Sequence, residues 1–146
     1  MAKCQECKEE YTLSLVGNGG VNGNHKYCSS SCLKAATYKA QRQRPKWRIG
    51  QMVAQARKRA RDKDLPFDIN NRYMEKLWTG HCEVTGTEFD LKPDGNRINR
   101  HAPSIDRIIP ELGYVKGNVR LVTNHLNMAM SEYGLEALLE LAKRIR

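Results

Sequence analysis

The chain has 146 residues, with 25 Lys and Arg against 16 Asp and Glu, a net charge of +9 and 7% aromatic residues. That length fits one domain, or a compact domain with a small appendage, and a modest core. The charge favours a polyanionic partner, nucleic acid first, while the lack of any membrane-length apolar run or strongly hydrophobic amphipathic helix disfavours a membrane.

The polar start, MAKCQECKEE, does not read as a secretory signal, so the expected location is cytoplasmic, where thiols stay reduced. The five cysteines are therefore read as metal ligands or free thiols. Cys4 and Cys7 precede an alternating YTLSLV stretch and a Gly/Asn-rich turn, and Cys28 and Cys32 follow it. This pattern predicts a hairpin whose base is held by four sulfurs around a structural Zn2+, with His25 as an alternative ligand. Four protein ligands leave no position open for water. Cys82 has no partner at ligand spacing and reads as a small buried residue.

CLKAATYKAQRQR is helix-compatible up to Pro45, which can open a second helix, KWRIGQMVAQARKRARDKD. Ile49, Met52, Val53, Ala56 and Ala60 form its apolar stripe. Arg42 to Lys63 holds nine basic residues and one acid, Asp62, so the polar face is almost wholly positive. Lys46, Arg48, Arg57, Lys58, Arg59 and Arg61 are the candidate phosphate contacts. NNRYMEKLWTG predicts a short helix ending at Gly80, and HCEVTGTEF a short strand around Cys82 to Thr85.

SIDRIIPELGYVKGNVRLVTNHLN then reads as strand, turn, strand and the start of a helix capped by Thr123 or Asn124. Asp106 lies on a half-buried strand, where a carboxylate needs a compensating partner, and a metal ion is one. Asn127 falls early in the helix, at a level where it can face Asp106. A carboxylate and an amide oxygen suit a hard ion such as Mg2+, which keeps sites for water and phosphate oxygens. SEYGLEALLELAKRIR predicts a terminal amphipathic helix with Leu135, Leu138, Leu139, Ala142 and Ile145 inward.

The run Ile-Asp-Arg-Ile, Gly-Tyr-Val, Gly-Asn-Val-Arg-Leu-Val and Asn resembles the ββα-metal motif of the HNH endonucleases, in the phage and restriction branch with Asp-Arg in the first strand. LPFDI, CEVTG and LEALLELAK are also similar to that branch, so the likeness is tight over 103–130 and looser over 50–146. It implies an α+β fold: a zinc knuckle at 1–40, a basic helical DNA-binding segment at 41–66, and a ββα-metal nuclease core with its C-terminal helix at 67–146. It further implies that Asp106 and Asn127 bind a catalytic Mg2+ or Mn2+ and that Asn118 buttresses the loop through backbone hydrogen bonds. Arg107 stands where most members carry the catalytic histidine.

Guanidinium stays protonated, so Arg107 can clamp phosphate but cannot act as general base. His101 is the nearest candidate base, with His81, His125 and Tyr114 as others. The activity implied is hydrolysis of double-stranded DNA to 5′-phosphate and 3′-hydroxyl ends. A homodimer is one route to double-strand cleavage, and a phage-encoded member would act in the host cytoplasm. The alternative is a non-catalytic zinc-ribbon nucleic-acid-binding protein with a degenerate hairpin, a reading favoured by the missing histidine.

Overall fold

The computed structural model describes residues 1–12, 26–92 and 99–145. The chain divides into two compact units, Met1–Arg42 and Gln43–Arg146, each with its own internal packing. Among the described residues no helix is long and apolar enough to cross a membrane.

The first unit pairs β1 (Ala2–Lys3) with β2 (Glu10–Tyr11) antiparallel and closes with helix α1 (Ser30–Arg42). Of YTLSLV, the described residues are Tyr11, which ends β2, and Thr12, which lies outside it. Most of that stretch, the Gly/Asn-rich turn and His25 lie outside the described residues. A Lys39–Glu6 ion pair ties α1 to the segment between the strands. Among this unit's described residues Cys4 alone is buried, and α1 buries none. So thin an apolar interior leaves the cysteine cluster as the element that can organise the unit.

The second unit opens with α2 (Pro45–Asp62), Pro45 occupying the first turn where its missing N–H costs nothing. The stripe read from the sequence is the one buried: Ile49, Met52, Val53, Ala56 and Ala60. It packs against α3 (Asn71–Leu77) and β3 (Pro103–Arg107). The Asn70 side chain caps α3 by accepting from the Tyr73 amide at 2.9 Å. The helix ends at Leu77, short of Gly80, because Trp78 leaves helical geometry (ψ 111°) and turns its ring onto Phe89.

β3 pairs antiparallel with β4 (Val119–Thr123) in a register that sets Asp106 opposite Arg120, and α4 (Asn124–Met130) follows at once. This strand–loop–strand–helix order beside flanking helices makes the unit α+β, with a ββα element at its centre. Ile105, Val119, Leu121 and Val122 fill the core, whereas Ile108 and Ile109 past the strand end stay about half exposed. Asn118 immediately precedes β4.

Two features fix the loop between the strands. Gly113 has φ +73°, and a Cβ there would meet the Pro66 carbonyl oxygen at 2.4 Å. The same approach lets the Tyr114 amide donate to Pro66 O at 2.8 Å, while the Asp68 amide donates to Tyr114 O at 3.1 Å. LPFDI is thereby stitched to the hairpin loop.

The last helix, α5 (Gly134–Ala142), departs from the expected pattern. Leu135 and Leu138 pack on the core, but Leu139 and Ile145 are 51% and 74% exposed. α5 rests on α4 along one edge, which is too narrow to cover the whole apolar stripe.

Candidate metal centres and nucleic-acid interface

In the first unit the sulfurs of Cys4, Cys7, Cys28 and Cys32 all lie within 4.8 Å of one another. Cys28 Sγ sits 3.5 Å from both Cys7 Sγ and Cys32 Sγ. Tetrahedral zinc with about 2.3 Å bonds needs sulfur separations of roughly 3.8 Å. The cluster could therefore hold a metal such as zinc after small adjustments. Burial pushes the Cys4 thiol up, but the amides of Cys28, Cys7 and Glu6 outweigh it and bring it down to about 6. Cys28 is pushed up to about 12 by the neighbouring sulfurs of Cys32, Cys7 and Cys4. Crowded thiolates repel one another, and a divalent cation relieves that repulsion.

The expected strand at Cys82 to Thr85 is instead a tight turn whose backbone repeats that of the Cys4 knuckle. Cys4 N donates to Glu9 O and Lys8 N to Cys4 O, and Cys82 N donates to Thr87 O and Gly86 N to Cys82 O. Lys8 and Gly86 both have positive φ, 67° and 71°. Thr85 thus occupies the place of Cys7, so Cys82 has knuckle geometry without a second sulfur. Burial raises the Cys82 thiol, yet hydrogen bonds from the Thr85 side chain and from the amides of Thr85, Thr123 and Val84 leave it below its ordinary range.

The chemistry of the hairpin converges on one cavity of about 350 Å3 in the second unit. Asp106 and Arg107 line it from β3, Asn127 and Met128 from α4, Arg59 from the last turn of α2, and Lys63 from the residue that caps that helix. The Lys63 amide donates to the Arg59 carbonyl at 3.1 Å, which keeps the two basic residues one turn apart at the helix end. A second cavity beside it is lined by Arg48, Gln55 and Arg59 along the same helix.

Asp106 is buried, and its Oδ2 accepts from Arg120 Nε at 2.7 Å in an ion pair whose side chains are 9% and 14% exposed. Its Oδ1 takes no hydrogen bond from the described residues. Asn127 Nδ2 donates to Ser104 Oγ at 2.7 Å and to the Ile105 carbonyl at 3.2 Å. These contacts fix which way the amide faces and leave its Oδ1 likewise uncommitted. One carboxylate oxygen and one amide oxygen lining a shared cavity fit a hard divalent ion that keeps water and phosphate as its other ligands.

Asn118 is buried with its side chain fully used. Nδ2 donates to the carbonyls of Ile109 and Gly113, both at 2.8 Å, and Oδ1 accepts from the Ile109 amide at 3.0 Å. Arg107 donates to the Pro110 carbonyl at 3.0 Å and lies over the Tyr114 ring, 5.2 Å from its centroid. The guanidinium is held at the cavity wall with donors to spare.

His101 is not brought to this cavity. It is exposed, and its ring stands edge-on to that of His125 at 5.4 Å, while His125 Nδ1 contacts the Arg100 carbonyl at 2.9 Å. His81 contacts the Thr79 carbonyl in the turn after α3. Tyr114 does line the cavity. Of the basic candidates on α2, Lys46, Arg57, Lys58, Arg59 and Arg61 are exposed, and Arg57 lies over the Phe67 ring at 5.3 Å.

Three contributors escape a reading of the sequence: Arg120, Ser104 and Lys63. Arg120 has a usable signal. A hairpin folded about Gly113 puts residues 106 and 120 opposite one another. Ser104 and Lys63 are visible only once α4 and α2 have been docked.

No protein-family profile matches the chain. Over 96 residues it is 35% identical to an uncharacterized 29.0 kDa protein from the dda-modA intergenic region of Enterobacteria phage T4, a match covering 65% of this chain and 35% of that protein. The chain thus spans about a third of the length of that phage relative. Among solved structures it is similar to the rare-cutting HNH restriction endonuclease PacI, at 15% identity and a TM-score of 0.45, covering 99% of this chain and 92% of the other.

Proposed function

We propose that this chain is a metal-dependent DNA endonuclease of the HNH type. The observation that carries the reading is the meeting of Asp106, Arg107 and Asn127 in one cavity faced by Arg59 and Lys63. In this reading Asp106 and Asn127 offer one oxygen each to a single Mg2+ or Mn2+. When bound, such an ion polarises the phosphoryl group and stabilises the departing 3′ oxygen.

The chain's own residues do the rest. Arg120 holds the far side of the Asp106 carboxylate, and Ser104 holds Asn127, so both metal-facing oxygens are oriented before the substrate arrives. Arg107 binds a non-bridging phosphate oxygen and balances its growing charge, braced by Pro110 and Tyr114. Arg59 and Lys63 hold the backbone on the opposite wall. No histidine lines the cavity among the described residues. In this reading the proton of the attacking water passes to solvent, Tyr114 braces Arg107 instead of taking that proton, and His101 serves the surface. In-line attack leaves 5′-phosphate and 3′-hydroxyl ends. One hairpin provides one reactive site, so cutting both strands takes two copies or two successive nicks. Zinc at the four cysteines is structural.

Supercoiled plasmid tests this reading. Zinc-loaded protein with Mg2+ or Mn2+ should nick it, and Asp106→Ala should slow nicking by more than about 1,000-fold. A wild-type protein that leaves DNA intact with both ions, or an Asp106→Ala protein that cuts as fast as wild type, sinks the proposal.

A further inference from the structure

α4 ends at Met130, and the chain reverses through a tight turn in which the Tyr133 amide donates to the Met130 carbonyl at 3.1 Å. Ser131 is the first corner of that turn, with φ +50° and ψ −134°. This is the corner of a type II′ turn, a conformation that glycine adopts freely and that crowds any Cβ. Elsewhere in the second unit positive φ falls on Gly80, Gly86, Gly113, Gly117 and Gly134 and on Asp64 (φ 51°), aspartate being a residue type that tolerates it better than serine. Serine here is strained, and strain of this kind clusters where a side chain has work to do.

Local structure gives that side chain no task. The position before α5 is held by Tyr133, so Ser131 does not cap that helix. Its hydroxyl makes no hydrogen bond with the described residues, although its amide donates to the Asn127 carbonyl at 3.0 Å. It lies one helical turn beyond Asn127 and lines the mouth of the same cavity, with Arg59 and Lys63.

We infer that Ser131 is a substrate-binding residue whose hydroxyl donates to a non-bridging phosphate oxygen of the DNA strand entering the cavity. Hydroxyl donors on a fixed backbone position a strand without reading its sequence. The inference rests on the DNA-cleaving reading for its ligand, but it concerns binding alone.

The test uses the full, zinc-loaded chain without added divalent ion and a labelled DNA duplex, read by fluorescence anisotropy alongside thermal melting. Losing a hydrogen bond to a charged group should weaken binding roughly tenfold in both Ser131→Ala and Ser131→Gly. Ser131→Gly should also melt about 2–5 °C higher than wild type, because glycine relaxes the corner. The combination of better folding with poorer binding is what a merely structural serine would not give. Either variant binding as tightly as wild type overturns the inference. Wild-type protein that binds DNA but never cuts it with Mg2+ or Mn2+ defeats the nuclease reading instead, and leaves the Ser131 comparison decisive in its own right.

Discussion

Asp106 and Arg120 form a nearly buried cross-strand pair, and such a pair is costly to leave half-made. Its value here is direction: Arg120 occupies one carboxylate oxygen and leaves the other for the cavity. Asn118 works at the same scale on the loop, where its amide substitutes for the backbone pairing that the chain gives up between Ile109 and Gly113. Asn118→Ala strips partners from three backbone groups at once. It should destabilise the protein by about 2–4 kcal/mol, read by urea denaturation. Asn118→Asp keeps the acceptor but turns a carboxylate oxygen against the Ile109 and Gly113 carbonyls, and should destabilise at least as much as alanine. An alanine protein as stable as wild type would mean that water satisfies the loop equally well.

At the scale of elements, α2 joins a core stripe and a basic face, the proposed binding face, in one helix. Its stripe from Ile49 to Ala60 is buried, while Arg59 and Lys63 look across the cavity at β3 and α4. Replacing both with alanine should weaken DNA binding and lower the slope of log affinity against log salt by about 2, near one unit per lost phosphate contact. Arg57→Ala should change that slope less, since its guanidinium already lies on Phe67. Elements set by local pattern are legible in the sequence: α2 from its 3.6-residue period and Pro45, and the strand–turn–strand–helix run from Ser104 to Asn127. The Cys82 turn reads as a strand because C-E-V-T alternates, while the hydrogen bonds that curl it close within five residues. α5 reads as more buried than it is because an amphipathic stripe records what a helix can cover, and how much its neighbour covers depends on docking. The Asp106–Asn127 convergence is legible through spacing. The placement of His101 against His125 is not, since nothing local fixes the approach of a loop to a helix end.

At the scale of the whole molecule, the two units differ in what can hold them together. The second has a continuous apolar core running from α2 through the hairpin to α4. The first buries only Cys4 among its described residues. Zinc should therefore be a folding requirement of the first unit alone. Mass spectrometry of the native protein should find one zinc per chain, and Cys28→Ser should lose it. The cysteine variant should also show protease cleavage confined to Met1–Arg42 while Gln43–Arg146 keeps a cooperative melt. Loss of that melt together with the zinc would contradict the independence of the two cores.

If Asp106 and Asn127 serve one ion, the metal dependence of plasmid cleavage must report on both, and the rate across a Mn2+ titration is the most direct way to read it. Asn127→Ala removes one of two protein oxygens. It should therefore raise the Mn2+ concentration for half-maximal rate by roughly 10–100-fold, while Asp106→Ala should show no cleavage at any concentration. An Asn127→Ala protein whose Mn2+ response superimposes on that of wild type would contradict a shared ion.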